Sequence, residues 1–414
     1  MTEYIYLKPV LNLFDNTNVT TDAALSDEMK TYYSDYLIDM AEPELVHDQF
    51  GQKKPIPKNN GKNIEFRKYD SLPKALVPLT EGVTPSGKKL SVSTVTATVA
   101  QYGDYVELSD ILLLTAIDNN LVEATELLGS QAGRTLDTIT REVLNGGTNV
   151  QYGANAVQAR YQLVGGDATP ANNHYLTVDC IKRAVRTLKV FNTPKIDGNY
   201  VAIIHPDCSY DLMSDPEWKY PHQYVDTENI YQGEIGMIAG VRFVETTEAK
   251  VFHAANLAGD DRTLAVNGAV SASTTVNFDG GTVSAHDLKG RTLQFYDATN
   301  GWQVGEVSDN TASAITLKSA LTIANDAVIY PGEAGRGGRD VYSTLVLGAN
   351  AYGVTELTGG GLQHIVKQLG SGGTTDPLNQ RATAGWKATK TAERLVEQYM
   401  VRIETASTFE VGEN

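Results

Sequence analysis

Cysteine is scarce in this sequence: Cys180 and Cys208 are the only two in 414 residues. Two isolated thiols give no disulfide framework and no paired metal-ligand spacing, so reduced, partly buried side chains are expected. Long apolar runs are missing as well. A run such as "ILLLTAI" is far too short to span a bilayer, and the opening "MTEYIYLKPVLNLF" lacks the basic-then-apolar layout of a secretory leader. A cytosolic product without membrane contact is expected. Positive charge is also in short supply. With 34 Lys and Arg against 50 Asp and Glu, a net of −16, the chain as a whole does not read as a nucleic-acid binder, because such binding needs cations to neutralise phosphates.

Motifs for chemistry are equally thin. "TPSGKKL" has the Gly-Lys of a phosphate loop but neither its first glycine nor its closing hydroxyl. "GEIGMIAG" places glycines at 233, 236 and 240, misspaced for a dinucleotide fingerprint, so turn and close-packing roles are expected. "GLQHIVKQLGSGG" could form a helix aimed at a ligand, but a lone His364 on it is usually a surface or satisfied side chain.

The densest polar stretch is "IIHPDCSYDLMSDPEWKYPH", residues 203–222. His205 and Asp207, or Asp211, Asp215 and His222, are residue types that hold divalent metals, and Cys208 with His205 is a conceivable nucleophile pair. The spacing matches no zinc or hydrolase motif, and no Gly-x-Ser-x-Gly elbow accompanies it. The structural reading has Pro206 stop a strand, Asp207 cap the next helix, and Ser214 or Asp215 cap another with Pro216 at its first position. No catalytic residue, metal or cofactor is assigned, and the chain reads as a non-enzyme.

What is present is a strong charge pattern. Residues 51–90 carry nine Lys or Arg against three acids, a net of +6, whereas residues 1–50 carry ten acids against Lys8 and Lys30, a net of −8. A basic segment on an acidic body points to docking on another copy of the chain; the competing reading is a solvated basic loop. Arg67, Lys68, Lys74, Lys88 and Lys89 are the candidate intersubunit contacts.

Residues 61–70 and 90–102 read as strands, rich in β-branched and aromatic residues, around a connection holding Pro73, Pro78 and Pro85. Two strands alone bury too little to be stable in water, so this ribbon needs a partner. Next, Leu114, Ile117, Leu121, Ala124, Leu128, Ala132, Leu136, Ile139 and Val143 recur at helical steps and predict one long amphipathic helix. Ser109 and Asp110 can cap its start, Asn145-Gly146 can end it, and Asp118-Asn119-Asn120 can interrupt it. Residues 175–250 mix a helix over "TVDCIKRAVRTLKVFN" with strands at "YVAIIHP" and "GVRFVET", an α+β body. From 257 to 333, short Thr/Val/Ala-rich runs punctuated by Asn267-Gly268, Asp279-Gly280 and Asn300-Gly301 predict hairpins in a small all-β insertion. "DVYSTLVLGANAYGV" and "RLVEQYMVRIETAST" return to the main body.

Taken in order, "PLTEGVTP", "LDTITREVLNGG", "HPDCSYDLMSDPEW", "YQGEIGMIAGVRFVET", "VLGANAYGV" and "DPLNQRATAGWKA" resemble the major capsid proteins of tailed double-stranded-DNA phages, most closely the phage N-four-like family. The resemblance covers nearly the whole chain outside 257–333. It implies the Hong Kong 97-type fold: an N-terminal arm (1–60), an extended loop (61–104), a peripheral domain with a spine helix (105–174 and 385–414), an axial domain (175–256 and 334–384) and, beside the family pattern, the β-rich insertion (257–333). It further implies hexamers and pentamers tiling an icosahedral virion shell made in a bacterial cytoplasm. Portal and scaffolding proteins are the implied partners, with a decoration protein on the insertion as a further expectation, and double-stranded DNA would be enclosed without sequence-specific binding. The rivals are an encapsulin-type compartment and a metal-dependent hydrolase built on 205–222.

Overall fold

A computed structural model describes residues 46–409 apart from 116–119, 219–235, 356–361, 371–377 and scattered positions at 58–86, 155, 260, 368, 370 and 379. Most of the expected N-terminal arm therefore lies outside the described residues. The described chain falls into two compact units: Lys53–Ile139 with Val354–Ala392, and Val46–Gln52 with Thr140–Gly353 and Glu393–Asn414.

The expected long helix is two helices, α1 (Asp110–Thr115) and α2 (Asn120–Asn145), with α2 in the first unit as far as Ile139. Ser109 Oγ accepts from the Leu112 amide (3.3 Å) and caps α1, as its position predicts. At the other end the Gly146 amide reaches the Glu142 carbonyl (3.0 Å) and closes α2 after Asn145. The split changes which residues are inside. Leu114 is 80% exposed and Leu112 is buried in its place, because α1 is a separate six-residue helix with its own register. Along α2 the expected face holds: Leu128, Ala132 and Leu136 pack on Ala384, Trp386 and Ala388, with Tyr102 and Val106 alongside. At 1.5 Å per residue, α2 is about 39 Å long.

Those partners lie on two long strands. Arg381–Arg394 pairs antiparallel with Ala100–Ser109 over ten residue pairs, Arg381↔Ser109 through Lys390↔Ala100. Its sheet also holds Gln363–Lys367 and Tyr352–Thr355. His364 therefore sits on a strand, not on a helix: paired β geometry absorbs the "QHIVK" run. Polar groups tie helix to sheet. Lys390 Nζ donates to the Leu136 carbonyl (2.6 Å), Trp386 Nε1 donates to Gln131 Oε1 (3.2 Å), and Gln131 Nε2 donates to Asp104 Oδ2 (2.8 Å).

The second unit is built on a seven-stranded mixed sheet in the order Val150–Tyr152, Met400–Thr405, Val341–Leu347, Tyr200–Ile204, Val241–Glu245, Met237–Ile238, with Val251–Phe252 also on Val341–Leu347. The strand pairing divides the chain differently from the expected domains. Met400–Thr405, expected beside the spine helix, pairs along its whole length with Val341–Leu347, while Gln363–Lys367, expected in the body of 175–256, pairs beside the strands that pack on α2. Burial explains the first placement: every residue of Val341–Leu347 is buried, so that strand requires neighbours on both edges and cover on both faces. Helix α3 (Val178–Val190) lays Ile181, Ala184, Val185 and Leu188 on this sheet against Ala202, Ile204, Val241, Phe243 and Trp218.

The insertion is a closed antiparallel barrel. Leu264–Val266, Val270–Asp279, Ala314–Ile323, Gly301–Asn310, Thr292–Asp297 and Val328–Pro331 pair in that order and return to the first. Its interior includes Val276, Phe278, Leu293, Phe295, Val307, Ile315, Leu317 and Ile329. Asn267-Gly268 and Asn300-Gly301 turn hairpins as expected, with Gly268 and Gly301 at φ 88° and 69°. Asp279-Gly280 ends a strand without making a hairpin, because Val270–Asp279 pairs with Ala314–Ile323 and Leu264–Val266 instead.

Candidate assembly interface

The basic segment builds the ribbon that its sequence predicts. Asn63–Tyr69 pairs with Val92–Thr98 in the register Ile64↔Ala97, Phe66↔Val95, Arg67↔Thr94. The single strand expected over 90–102 is divided at Val99, because Ala100 onward pairs with Arg381–Arg394 instead. Among the described residues no third strand joins the ribbon. Alternation gives it two unlike faces. Ile64, Phe66 and Ala97 are buried on one. The other carries Asn63, Glu65, Arg67, Thr94, Thr96 and Thr98, all exposed, with Thr98 Oγ1 donating to Asn63 Oδ1 (2.9 Å) across the strands.

The five candidate contact residues are not equivalent. Arg67 pairs with Glu65 two residues away on its own strand (3.2 Å), so part of its charge is compensated locally; an exposed pair of this kind stabilises by about 0–1 kcal/mol. Lys74, Lys88 and Lys89 are exposed in the connection, and the Lys68 side chain lies outside the described ones. What charge reasoning missed is apolar: Leu72, Leu76, Leu90 and Val92 are exposed beside these cations, Leu76 at 81%. Exposed apolar groups rimmed by charge mark interaction surfaces. Their signal in the sequence was leucines inside a Pro-rich connection that has no core of its own.

Wherever it is described, the 203–222 stretch makes hydrogen bonds within the chain. Tyr200–Ile204 ends at His205, and helix α4 (Pro206–Ser214) begins with Pro206 at its first position. The cap is His205, not Asp207: His205 Nδ1 accepts from the Asp207 amide (3.2 Å). Asp207 is engaged otherwise, accepting from the Tyr342 hydroxyl (2.8 Å). Burial holds the His205 imidazole below the usual histidine value; Asp207 opposes this and His253 adds to it. Burial pushes the Cys208 thiol far above its ordinary value, the reverse of what a nucleophile needs. Asp211 accepts from the Thr408 amide (3.0 Å) and hydroxyl (2.5 Å). Asp215 serves two helix starts, taking the Glu217 amide on Oδ1 (2.8 Å) and the Val178 amide on Oδ2 (2.9 Å).

Among the described residues no group of three His, Cys, Asp or Glu is arranged to hold a metal ion; His222 lies outside them. The glycines of "GEIGMIAG" that are described make turns: Gly236 and Gly240 have φ 75° and 79°, the latter between Met237–Ile238 and Val241–Glu245.

Comparison with known proteins bears on this architecture. The sequence family described as "Phage capsid protein" matches residues 113–278. No curated protein matches the sequence. Among solved structures, the capsid of cyanophage P-SCSP1u is similar at TM-score 0.53 and 12% identity, over 97% of this chain and 99% of that one. The capsid of Ralstonia phage GP4 is similar at TM-score 0.53 and 14% identity, over 91% and 94%. That of cyanophage Pam1 is similar at 0.51 and 13%, over 84% and 86%. At such identities the likeness is one of fold. The chain has the Hong Kong 97-type fold of phage capsid subunits along nearly its whole length, and its residues 113–278 match the phage capsid protein family.

Proposed function

We propose that the protein is the major capsid protein of a double-stranded-DNA phage, a structural subunit that assembles into the hexamers and pentamers of an icosahedral shell. The observation that supports this most is the capsid fold over 97% of the chain. The ribbon adds to it, since two strands presenting exposed leucines and lysines need a surface supplied by another subunit. Arg67, Lys68, Lys74, Lys88 and Lys89 are its contact residues on this reading. The unit with α2 and the strand Arg381–Arg394 then takes the peripheral role, and the unit with the seven-stranded sheet the axial one.

The barrel, with no free strand edge, suits an accessory position where a decoration protein could bind. Closed symmetry multiplies modest single contacts into a stable particle. The acidic balance suits a wall that encloses DNA without gripping it, and portal and scaffolding proteins complete the partners of such a shell. The phage family match favours this reading over an enzyme-filled compartment of encapsulin type. Electron microscopy of the purified protein tests it: uniform icosahedral particles are expected, and a monodisperse monomer under assembly conditions would sink it.

A further inference from the structure

One wall of the barrel carries a row of aromatic rings that the barrel core does not use. Leu293, Phe295 and Ile329 point into the barrel, so by alternation Tyr296 and Tyr330 point outward, and Tyr296 is paired across the strands with Trp302. Trp302 is the middle of the row. Its ring lies 4.8 Å from that of Tyr296 and 5.5 Å from that of Tyr330, centroid to centroid, with the planes tilted by 38° and 41°. Tilted neighbours leave ring faces uncovered, and Tyr296 and Trp302 are 40% and 36% exposed. Every other exposed residue of the barrel strands is Ser, Thr, Ala, Asn, Asp, Glu or Lys. The row is fixed from one side. The Arg336 guanidinium lies over Trp302, 5.7 Å from the ring centroid, and a Cβ on Gly337 would stand 3.5 Å from Trp302 and 4.0 Å from Tyr330. Buried Gln294 fastens this stretch to the wall: its Oε1 accepts from the Gly337 amide (3.1 Å) and its Nε2 donates to the Gly335 carbonyl (2.9 Å). The result is a preorganised aromatic strip with a cation at its edge.

Three kinds of ligand stack on such rings, and charge and area choose among them. Single-stranded nucleic acid needs cations along its phosphates, but residues 257–333 carry nine acids against four Lys or Arg, a net of −5. A protein partner needs about 800 Å² on each side, but Tyr296 and Trp302 are the only large apolar side chains exposed among the described residues of 257–333. A saccharide needs neither. The apolar face of a pyranose presents C–H groups whose slight positive charge is attracted to the negative face of an aromatic ring. Its hydroxyls can accept from a guanidinium such as that of Arg336. The steps of 4.8 and 5.5 Å along the row are close to the advance of one sugar ring along an extended glycan.

We propose that Tyr296, Trp302 and Tyr330, with Arg336 at their edge, bind an uncharged, β-linked oligosaccharide of pyranose rings. An extended glycan of this class offers flat sugar faces in succession to a flat strip of rings. The inference goes beyond the shell-forming reading and does not depend on it.

The test titrates the full chain with cellohexaose, N-acetylchitohexaose and mannohexaose, read by calorimetry and by acrylamide quenching of tryptophan fluorescence. Trp218 and Trp386 are buried, so Trp302 is the indole that acrylamide reaches, and a bound sugar should shield it. Saturable binding of at least one of the three sugars is expected, with Trp302 shielded. Trp302→Ala and Tyr296→Ala should each weaken that binding by about tenfold. If Trp302→Ala loses hydrogen-exchange protection across the barrel, Tyr296→Ala, at the exposed end of the row, decides. Absence of saturable binding by all three sugars, binding unchanged in the variants, or shielding of Trp302 by oligothymidylate and by none of the sugars overturns the proposal.

Discussion

The ribbon and the barrel are both antiparallel β structures, and they solve the problem of strand edges in opposite ways. The barrel closes on itself, so each of its six strands has two partners and its apolar side chains meet in one interior. The ribbon has two strands, edges that no other strand pairs among the described residues, and a connection whose Leu72, Leu76 and Leu90 are left in solvent. The difference teaches which part of the molecule is complete alone: closure leaves the barrel no strand edge to pair elsewhere, whereas the open ribbon keeps edges that a neighbour would cover in the proposed shell.

The largest expected effect comes from breaking the ribbon's side of this comparison. Reversing Arg67, Lys68, Lys88 and Lys89 to Glu should abolish particles seen by electron microscopy while the exposed sites Arg67, Lys88 and Lys89 change subunit stability by only about 0.5 kcal/mol each; a chain that still assembles at physiological salt would refute the contact assignment. Phe295→Ala attacks the barrel instead. Phe295 is 1% exposed in the barrel core, and its loss should cost about 3–5 kcal/mol, read as lost hydrogen-exchange protection across 264–331 with protection in α2 unchanged. If both regions lost protection together, the barrel would not be self-contained.

A smaller effect is expected at Asp215, which lies in neither region and serves as the control. Asp215→Ala removes the acceptor for the Val178 and Glu217 amides and should cost about 1–2 kcal/mol by urea denaturation, with the ribbon's candidate contact residues left intact.

The smallest effects are pH dependences, one inside the barrel and one outside it. Backbone amides of Asn300 and Ala324, with the Asn300 side chain, hold Asp297 at about 2. A carboxylate held below its unfolded value adds stability that is complete above that value and fades as pH falls toward the folded one. Barrel melting should therefore weaken between about pH 4 and pH 2, and Asp297→Asn should flatten that slope. His205 works in the neutral range. Its folded value is lowered by burial, so its contribution is present above about pH 6.5 and is lost as pH falls below it. His205→Asn keeps a capping side chain and removes the titration; an unchanged slope between pH 5 and 7 would show that His205 is not the group responsible.

Much of this was legible in the sequence, and for identifiable reasons. Ser109, Asn145-Gly146 and Asn300-Gly301 are local signals, acting within a few residues, and the structure places a cap, a helix end and a hairpin at them. The hairpin between Gly301–Asn310 and Ala314–Ile323 has no such signal because its turn, "TAS", has neither Gly nor Pro; Thr311 closes it, its amide donating to the Ala314 carbonyl (2.8 Å) and its Oγ1 accepting from the Ala314 amide (3.1 Å). The His205 cap was equally hidden, since histidine is a rare choice where Asp207 stood next in line.

Charge segregation, helical periodicity, strand content and the basic ribbon are properties of residue order, and the sequence alone determined them. Which strands share a sheet was decided only in three dimensions. Met400–Thr405 joins Val341–Leu347 across more than fifty residues of intervening chain, and Arg381–Arg394 joins Ala100–Ser109 across more than two hundred and seventy. No local pattern specifies such partners: an apolar strand states that it must be covered, and only the packing of the whole chain settles what covers it.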